Sequence, residues 1–300
     1  MKKKTYLFAL MAMALTLGSC SDNENGIGGE TSKYITVSTS IGNMTRVATD
    51  EKGGQTFEEG DEISVYAWTG DATVAPETSE RVVNNAINKL TNGSWVSTPQ
   101  MLWKNNRDKH YFIGVYPTAA ISDLSAGEYT FDANKQTESD LLVAVNPDGL
   151  SYNVDEPQTV PLTFTHVMAK LVVNLTYKNQ WGGIPTVEKV VVGNAAKEAT
   201  INYLTKVVTP STTAKEDFSL PEITENTKYV SVIIPQEDVK QLTIVIGGKN
   251  FVYDNGTPFK LESGKITTVN LEVGRDEIKL GDVKITNWED GSTFSGEALN

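Results

Sequence analysis

Residue types that perform catalysis or bind metals are scarce in this chain. Its 300 residues include two histidines, His110 and His166, and a single cysteine, Cys20. A zinc cluster, a cysteine nucleophile with its partners or a disulfide framework cannot be built from this set. No serine or cysteine lies in a nucleophile-elbow context, and His166 lies in the alternating segment LTFTHVMAK, which is typical of a packed strand. We therefore predict a non-catalytic protein with no metal and no cofactor.

Two short motifs resemble ligand-binding loops. Glu58, Glu59, Asp61 and Glu62 could bind calcium, but they lack the ligand spacing of a dedicated calcium loop, so a solvated turn is favoured. The segment GGKNFVYDNG at 247–256 contains glycines with no helix after them. It predicts a hairpin and not a phosphate-binding loop.

The tryptophans leave a second function open. Indole faces provide apolar platforms on which sugars can stack, so a surface glycan-binding lipoprotein is the alternative to a structural subunit. Tryptophans in a β protein more often pack in the core, and this interpretation is favoured here. The five residues are Trp68, Trp95, Trp103, Trp181 and Trp288.

The charge balance is strongly acidic. The chain has 26 basic and 38 acidic residues, and without a leader that holds Lys2, Lys3 and Lys4 it keeps only 23 basic residues. An acidic surface repels phosphate backbones, so nucleic acid is excluded as a partner.

The N-terminus has the form of a secretory leader. Three lysines precede an apolar run and then Leu-Gly-Ser-Cys, which resembles the bacterial lipobox. We predict a signal peptide over residues 1–19, cleavage between Ser19 and Cys20, and acylation of Cys20. Two or three acyl chains hold a protein firmly on a membrane, since each buried CH₂ contributes ~0.8 kcal/mol. The polar, glycine-rich residues 20–32 predict a flexible lipidated tether.

The mature chain consists of short alternating runs separated by turns. Examples are EISVYAW, KHYFIGVYP, SDLLVAV before a Pro-Asp-Gly turn at 147–149, and eight further runs after residue 157. Only residues 82–90 indicate a helical turn. The pattern predicts an all-β protein with two antiparallel β-sandwich domains, over residues 33–156 and 157–300.

The first of these runs has a special position. In KYITVSTSI the residues Ile35, Val37, Thr39 and Ile41 recur with period two, as in a half-buried strand. The polar segment NMTRVATDEKGGQ follows and contains Arg46. Removal of this strand would leave an open groove lined by apolar side chains and by unpaired backbone N–H and C=O groups of the neighbouring strand. Such a groove requires a replacement strand.

The order of the runs resembles the fimbrillin-like lipoproteins of Bacteroidales. The similarity covers nearly the whole mature chain, although no single run is specific. It rests on MTR at 44–46, FEEGDEISVYAW at 57–68, GSWVSTPQMLW at 93–103, HYFIGVYP at 110–117, SDLLVA at 139–144, LTFTHVMAKLVVNL at 162–175, VIIPQ at 232–236, LESGKITTVNLEV at 261–273 and ITNW at 285–288.

The resemblance implies two tandem transthyretin-like domains and a role as a type V pilus subunit, as stalk, anchor or tip adhesin. In that family a trypsin-like protease cuts the surface lipoprotein after an arginine, the first strand leaves, and a strand of another subunit replaces it. Carried to this chain, the cleavage site is Arg46–Val47 and the displaced strand holds Ile35, Val37, Thr39 and Ile41.

The resemblance also implies partners and a location. The partners are other pilus subunits through donor-strand exchange, the outer membrane through the lipid, and a host or bacterial surface ligand. Asp22 and Glu24 follow the cysteine as in lipoproteins exported to the cell surface. We therefore expect a lipid-anchored, surface-exposed protein of the outer membrane that enters the fimbrium after maturation.

Overall fold

The structure is a computed structural model that describes residues 33–42, 56–153, 155–156, 158–254 and 256–288. Within these residues the chain forms nineteen strands: β1 (Thr36–Ile41), β2 (Glu62–Thr69), β3 (Val83–Thr91), β4 (Ser94–Thr98), β5 (Lys109–Tyr116), β6 (Gly127–Thr130), β7 (Leu142–Ser151), β8 (Thr159–His166), β9 (Ala169–Tyr177), β10 (Val187–Ala196), β11 (Glu198–Asn202), β12 (Val207–Pro210), β13 (Lys215–Ser219), β14 (Glu222–Thr224), β15 (Lys228–Ile233), β16 (Gln241–Ile246), β17 (Lys249–Asp254), β18 (Lys265–Val273) and β19 (Ile278–Asn287).

Helical structure in the described residues is limited to short 3₁₀ turns, such as Thr78–Glu80 and Asn179–Trp181. Across the same residues, no helix has the length and apolar character needed to span a membrane. The expected all-β, sandwich-like architecture is confirmed.

The strands form four sheets. Seven strands pair in the order β1-β8-β7-β5-β2-β3-β4, and five pair in the order β14-β15-β9-β18-β19. The two smaller sheets have the orders β13-β10-β16-β17 and β12-β11-β6. Most pairs are antiparallel, but β1 with β8 and β9 with β18 are parallel, which departs from the expected uniform pattern.

The centre of the seven-stranded sheet is buried on both faces. In β2 six consecutive residues, Ile63 to Trp68, are buried. Val65 and Ala67 belong to one apolar cluster. Tyr66 and Trp68 belong to a larger cluster, which also contains buried residues from the sheets of the second half of the chain. This two-sided burial explains why these central strands have continuous apolar runs.

The two ends of the seven-stranded sheet approach each other around the smaller cluster. Tyr34, just before β1, forms an antiparallel bridge with Leu102, just after β4. The N–H of Ile35 donates to the carbonyl of Met101 at 3.0 Å, and the N–H of Trp103 donates to the carbonyl of Lys33 at 3.3 Å. The sheet thus encloses a core to which β1 contributes one wall.

Two local predictions are wrong. Residues 82–90 lie largely in strand β3, because pairing with β2 on one side and β4 on the other outweighs their weak helical pattern. The Pro-Asp-Gly turn at 147–149 is a bulge inside β7, where Gly149 has a φ of +64° and its N–H donates to the Asn146 side chain.

Pairing near the middle of the chain links its two halves. Strand β8 follows the predicted domain boundary, yet it pairs with β7 and β1 in the seven-stranded sheet. Strand β6 precedes that boundary and pairs with β11. The division of the chain at residues 156 and 157 stays a prediction.

Candidate functional site

The site on which the strand-exchange prediction depends is strand β1. Its side chains alternate as predicted: Ile35 just before the strand, Val37 and Ile41 are buried, Thr39 is half-buried on the same face, and the intervening residues are exposed. Three buried β-branched side chains contribute about 1.5–3 kcal/mol each to holding the segment in place.

The backbone of β1 is held by β8. The two strands pair in parallel from Thr36 with Thr159 to Ile41 with Phe164. On the outer face, the hydroxyls of Thr36 and Thr159 lie 3.2 Å apart, and those of Ser40 and Thr163 lie 3.1 Å apart. Because β1 is the end strand of the sheet order, its departure breaks its pairing with β8 and the bridge between Tyr34 and Leu102, but it leaves the pairs among the other strands intact.

On its other side β1 faces β4, and a side-chain hydrogen bond joins the two strands. The indole N–H of Trp95 donates to the hydroxyl of Thr39 at 3.0 Å. Phe57 packs edge-on against Trp95, with ring centroids 5.3 Å apart, and against Phe164 at 5.1 Å. Sequence analysis missed this contact, because nothing in the local pattern indicates that β1 and β4 meet.

The predicted processing residues lie outside the described residues. These are Ser19 and Cys20 at the signal-peptide cleavage site, and Arg46 and Val47 at the maturation site. Strand β1 ends at Ile41, so the segment with Arg46 starts directly after it and leads to β2.

The other arginines have defined positions. Arg81 is 8% exposed, and its guanidinium donates to the carbonyls of Ile121 and Ser122 at 2.6 Å each. Arg107 is exposed between β4 and β5, and Arg275 is exposed between β18 and β19. Cleavage after Arg107 would not release a terminal edge strand. Cleavage after Arg275 would separate β19, which is the end strand of the five-stranded sheet, but would leave β1 and the predicted tether in place.

The acidic turn before β2 organises a neighbouring hairpin. The carboxylate of Glu59 accepts the N–H groups of Asn92 at 2.9 Å and Gly93 at 2.6 Å in the β3–β4 turn. Glu62 pairs with Lys89 at 2.9 Å. The carboxylates therefore hold a turn, and across the described residues no group of three His, Cys, Asp or Glu side chains is arranged to bind a metal ion.

The glycines at 247–248 form the predicted hairpin turn between β16 and β17. Both have a positive φ, +57° and +73°, which is the conformation that a tight two-residue hairpin of this kind requires.

His110 lies in β5 and is fully buried. Its Nε2 accepts the N–H of Lys104 at 3.1 Å, and its Nδ1 lies 3.1 Å from the carbonyl of Asp108. The ring thus fits a neutral imidazole that donates from Nδ1. Burial lowers the pKa of His110, although the Asp108 carbonyl acts in the opposite direction.

His166 ends β8 and is also buried. Its Nδ1 lies 2.7 Å from the carboxylate of Asp140, and the side chains of the pair are 0% and 4% exposed. The ring stacks on Trp288, and the residue also lines a cavity together with Lys206 and Ser263. Both histidines thus lie in packed strands, as predicted.

The sequence of this chain matches one known protein family over most of its length. A family model described as fimbrillin-like matches residues 45–288, which is most of the chain. The chain belongs to the fimbrillin-like family. No curated protein sequence gives a significant match.

Solved structures share the fold of this fimbrillin-like protein. A candidate cell adhesion protein from Bacteroides ovatus has 17% identity and a TM-score of 0.62, over 85% of this chain and 98% of that one. A second, from Bacteroides uniformis, has 17% identity and a TM-score of 0.59, over 85% and 99%. A fimbrial protein from Bacteroides vulgatus has 13% identity and a TM-score of 0.53, over 85% and 99%.

The tryptophans of this fimbrillin-like protein pack against other residues. Trp68 and Trp288 are buried, and the other three are half-buried. Trp103 contacts His110 and Phe112, and Trp181 contacts Phe251. Each of these indoles therefore contacts side chains of the protein itself, which weakens the argument for a sugar platform.

Proposed function

We propose that this protein is a non-catalytic pilus subunit of the cell surface that is made as a lipoprotein and assembled by strand exchange. Membership in the fimbrillin-like family supports the role of a pilus subunit. The finer steps are lipid attachment at Cys20, cleavage between Arg46 and Val47, and replacement of β1 by a strand of another subunit.

The position of β1 is the single observation that carries the strand-exchange step. It is an edge strand with buried residues on one face, and it lies between the predicted tether and the segment that contains Arg46. Cleavage after Arg46 would separate both β1 and the lipid from the rest of the chain. The groove left between β8 and Trp95 would then accept an extended segment of a second subunit.

The experiment compares Arg46→Ala with the wild type and with the control Arg107→Ala, each expressed in a bacterium with the pilus system. We expect wild-type and Arg107→Ala polymers to begin at Val47 and to form a ladder on unboiled gels. Arg46→Ala should remain a membrane-bound monomer that begins at Cys20. Its melting temperature should equal that of the uncleaved wild-type precursor.

Normal polymers of Arg46→Ala with Cys20 still at the N-terminus would reject cleavage at this site. The protein would then belong with the anchor subunits, which stay attached to the membrane. Retention on immobilised polysaccharide that is lost on Trp→Ala substitution would instead favour the glycan-binding alternative.

A further inference from the structure

The groove that holds β1 has two walls of different chemistry. The β8 wall offers backbone groups and the hydroxyls of Thr159 and Thr163, both paired with exposed hydroxyls of β1. The wall formed by β4 and the residues after it offers the indole of Trp95 and backbone groups of Met101 and Trp103. Backbone pairing is independent of sequence, so selection among incoming strands depends on side chains.

The inward face of β1 contains one polar position. Ile35, Val37 and Ile41 are apolar, but Thr39 between them accepts the indole N–H of Trp95. An indole nitrogen is a donor only, so it pairs with acceptors such as the Thr39 hydroxyl and not with an apolar side chain. Phe57 packs edge-on against the indole on the same side of the groove as β4.

Resting on the strand exchange proposed above, we infer that Trp95 selects the replacement strand by a hydroxyl at the position of Thr39. The partner is an extended segment with threonine or serine at that position and β-branched apolar residues at the positions of Val37 and Ile41. Trp95 is thus a specificity-determining residue of the groove.

The exposure of each β1 hydroxyl decides whether its loss would weaken the binding of an incoming strand. Thr36 and Ser40 are exposed, so water can replace the partner of either hydroxyl when an incoming strand lacks it. Thr39 and Trp95 are half-buried, and valine at position 39 would leave the indole N–H without its acceptor. Valine has nearly the shape of threonine, so this substitution removes the hydrogen bond and little else.

The test uses the full chain without its signal peptide, so that β1 is still attached. A recognition sequence for a sequence-specific protease replaces residues 47–53. After cleavage, peptides covering residues 33–42 compete with β1 labelled by a fluorophore, and anisotropy reports displacement. The peptides are wild type, Thr39→Val, Thr39→Ser and the outward control Ser40→Val. Each is measured on the wild-type chain and on Trp95→Phe.

We expect the wild-type, Thr39→Ser and Ser40→Val peptides to bind within about threefold of one another, and Thr39→Val to bind about tenfold more weakly. On Trp95→Phe the difference between threonine and valine should disappear. The peptide series on the wild-type chain tests hydroxyl selection even if Trp95→Phe does not fold.

Three results would overturn the inference in distinguishable ways. Failure of the wild-type peptide to displace β1 would reject strand exchange itself. Displacement with equal affinities for the wild-type and Thr39→Val peptides would leave exchange intact and reject hydroxyl selection. A tenfold difference that persists on Trp95→Phe would reject Trp95 as its source.

Discussion

The imidazole of His166 stacks on the indole of Trp288, with ring centroids 4.1 Å apart and planes inclined by 9°. His166 ends β8, and Trp288 follows β19, the last strand within the described residues. The N–H of Trp288 donates to the carbonyl of Gly264 at 3.1 Å, and Lys170 lies 5.6 Å from the centroid of its ring. This contact joins the seven-stranded and five-stranded sheets.

Trp288→Ala should therefore destabilise the protein strongly. Trp288 is fully buried, and loss of its side chain leaves a cavity beside the His166–Asp140 pair. We expect a loss of about 3–5 kcal/mol in the free energy of unfolding, measured by chemical denaturation. Trp288→Phe keeps an aromatic ring at this position and should lose much less; equal losses for the two variants would contradict a role for ring stacking.

We expect the free energy of unfolding to depend on pH because of His110. Burial lowers its pKa below the ordinary value of 6.5, so the unfolded chain binds the proton more readily than the folded one. His110 should therefore cost no stability above pH 6.5, and the protein should lose stability as the pH falls from 6.5 toward the folded-state pKa. His110→Gln should flatten this part of the curve of unfolding free energy against pH. A curve that keeps the wild-type slope would assign the effect to other groups.

We expect Arg81 to stabilise the fold and not to be a protease cleavage site. Its guanidinium holds the carbonyls of Ile121 and Ser122, and its central carbon lies 5.4 Å from the centroid of the Tyr66 ring. Arg81→Ala leaves buried carbonyls unpaired and should cost roughly 2–4 kcal/mol in the free energy of unfolding.

Arg81→Lys should recover only part of this loss, because an ammonium cannot reproduce the fork geometry of a guanidinium. An arginine-specific protease should leave the Arg81–Val82 bond of the folded protein intact. Rapid cleavage there under native conditions would contradict the buried position.

The lipid prediction concerns Cys20, the only cysteine of the chain. Cys20→Ala should abolish labelling by radioactive palmitate and the partition of the precursor into detergent, because the acyl chains supply the membrane affinity. Ser21→Ala is the matched control and should be labelled like the wild type. Labelling of Cys20→Ala at the wild-type level would remove the lipoprotein assignment.

Local sequence predicted much of the strand content but less of its pairing. Period-two alternation identified Val37 and Ile41 as the buried face of β1, and all eight runs after residue 157 are strands. Short strands with weaker apolar patterns, such as β4 and β12, were missed because their half-exposed residues leave a faint alternation.

The sequence by itself determined which face of β1 is buried, because alternation of side chains follows from the geometry of an extended backbone. Only the tertiary structure decided that β1 pairs in parallel with β8, more than 120 residues away, and that Trp95 meets Thr39. The periodicity of a strand indicates that one of its faces is apolar, but many other strands have an apolar face that could pack beside it. The choice among them is made by cooperative packing of the whole core, which residues distant in sequence form together.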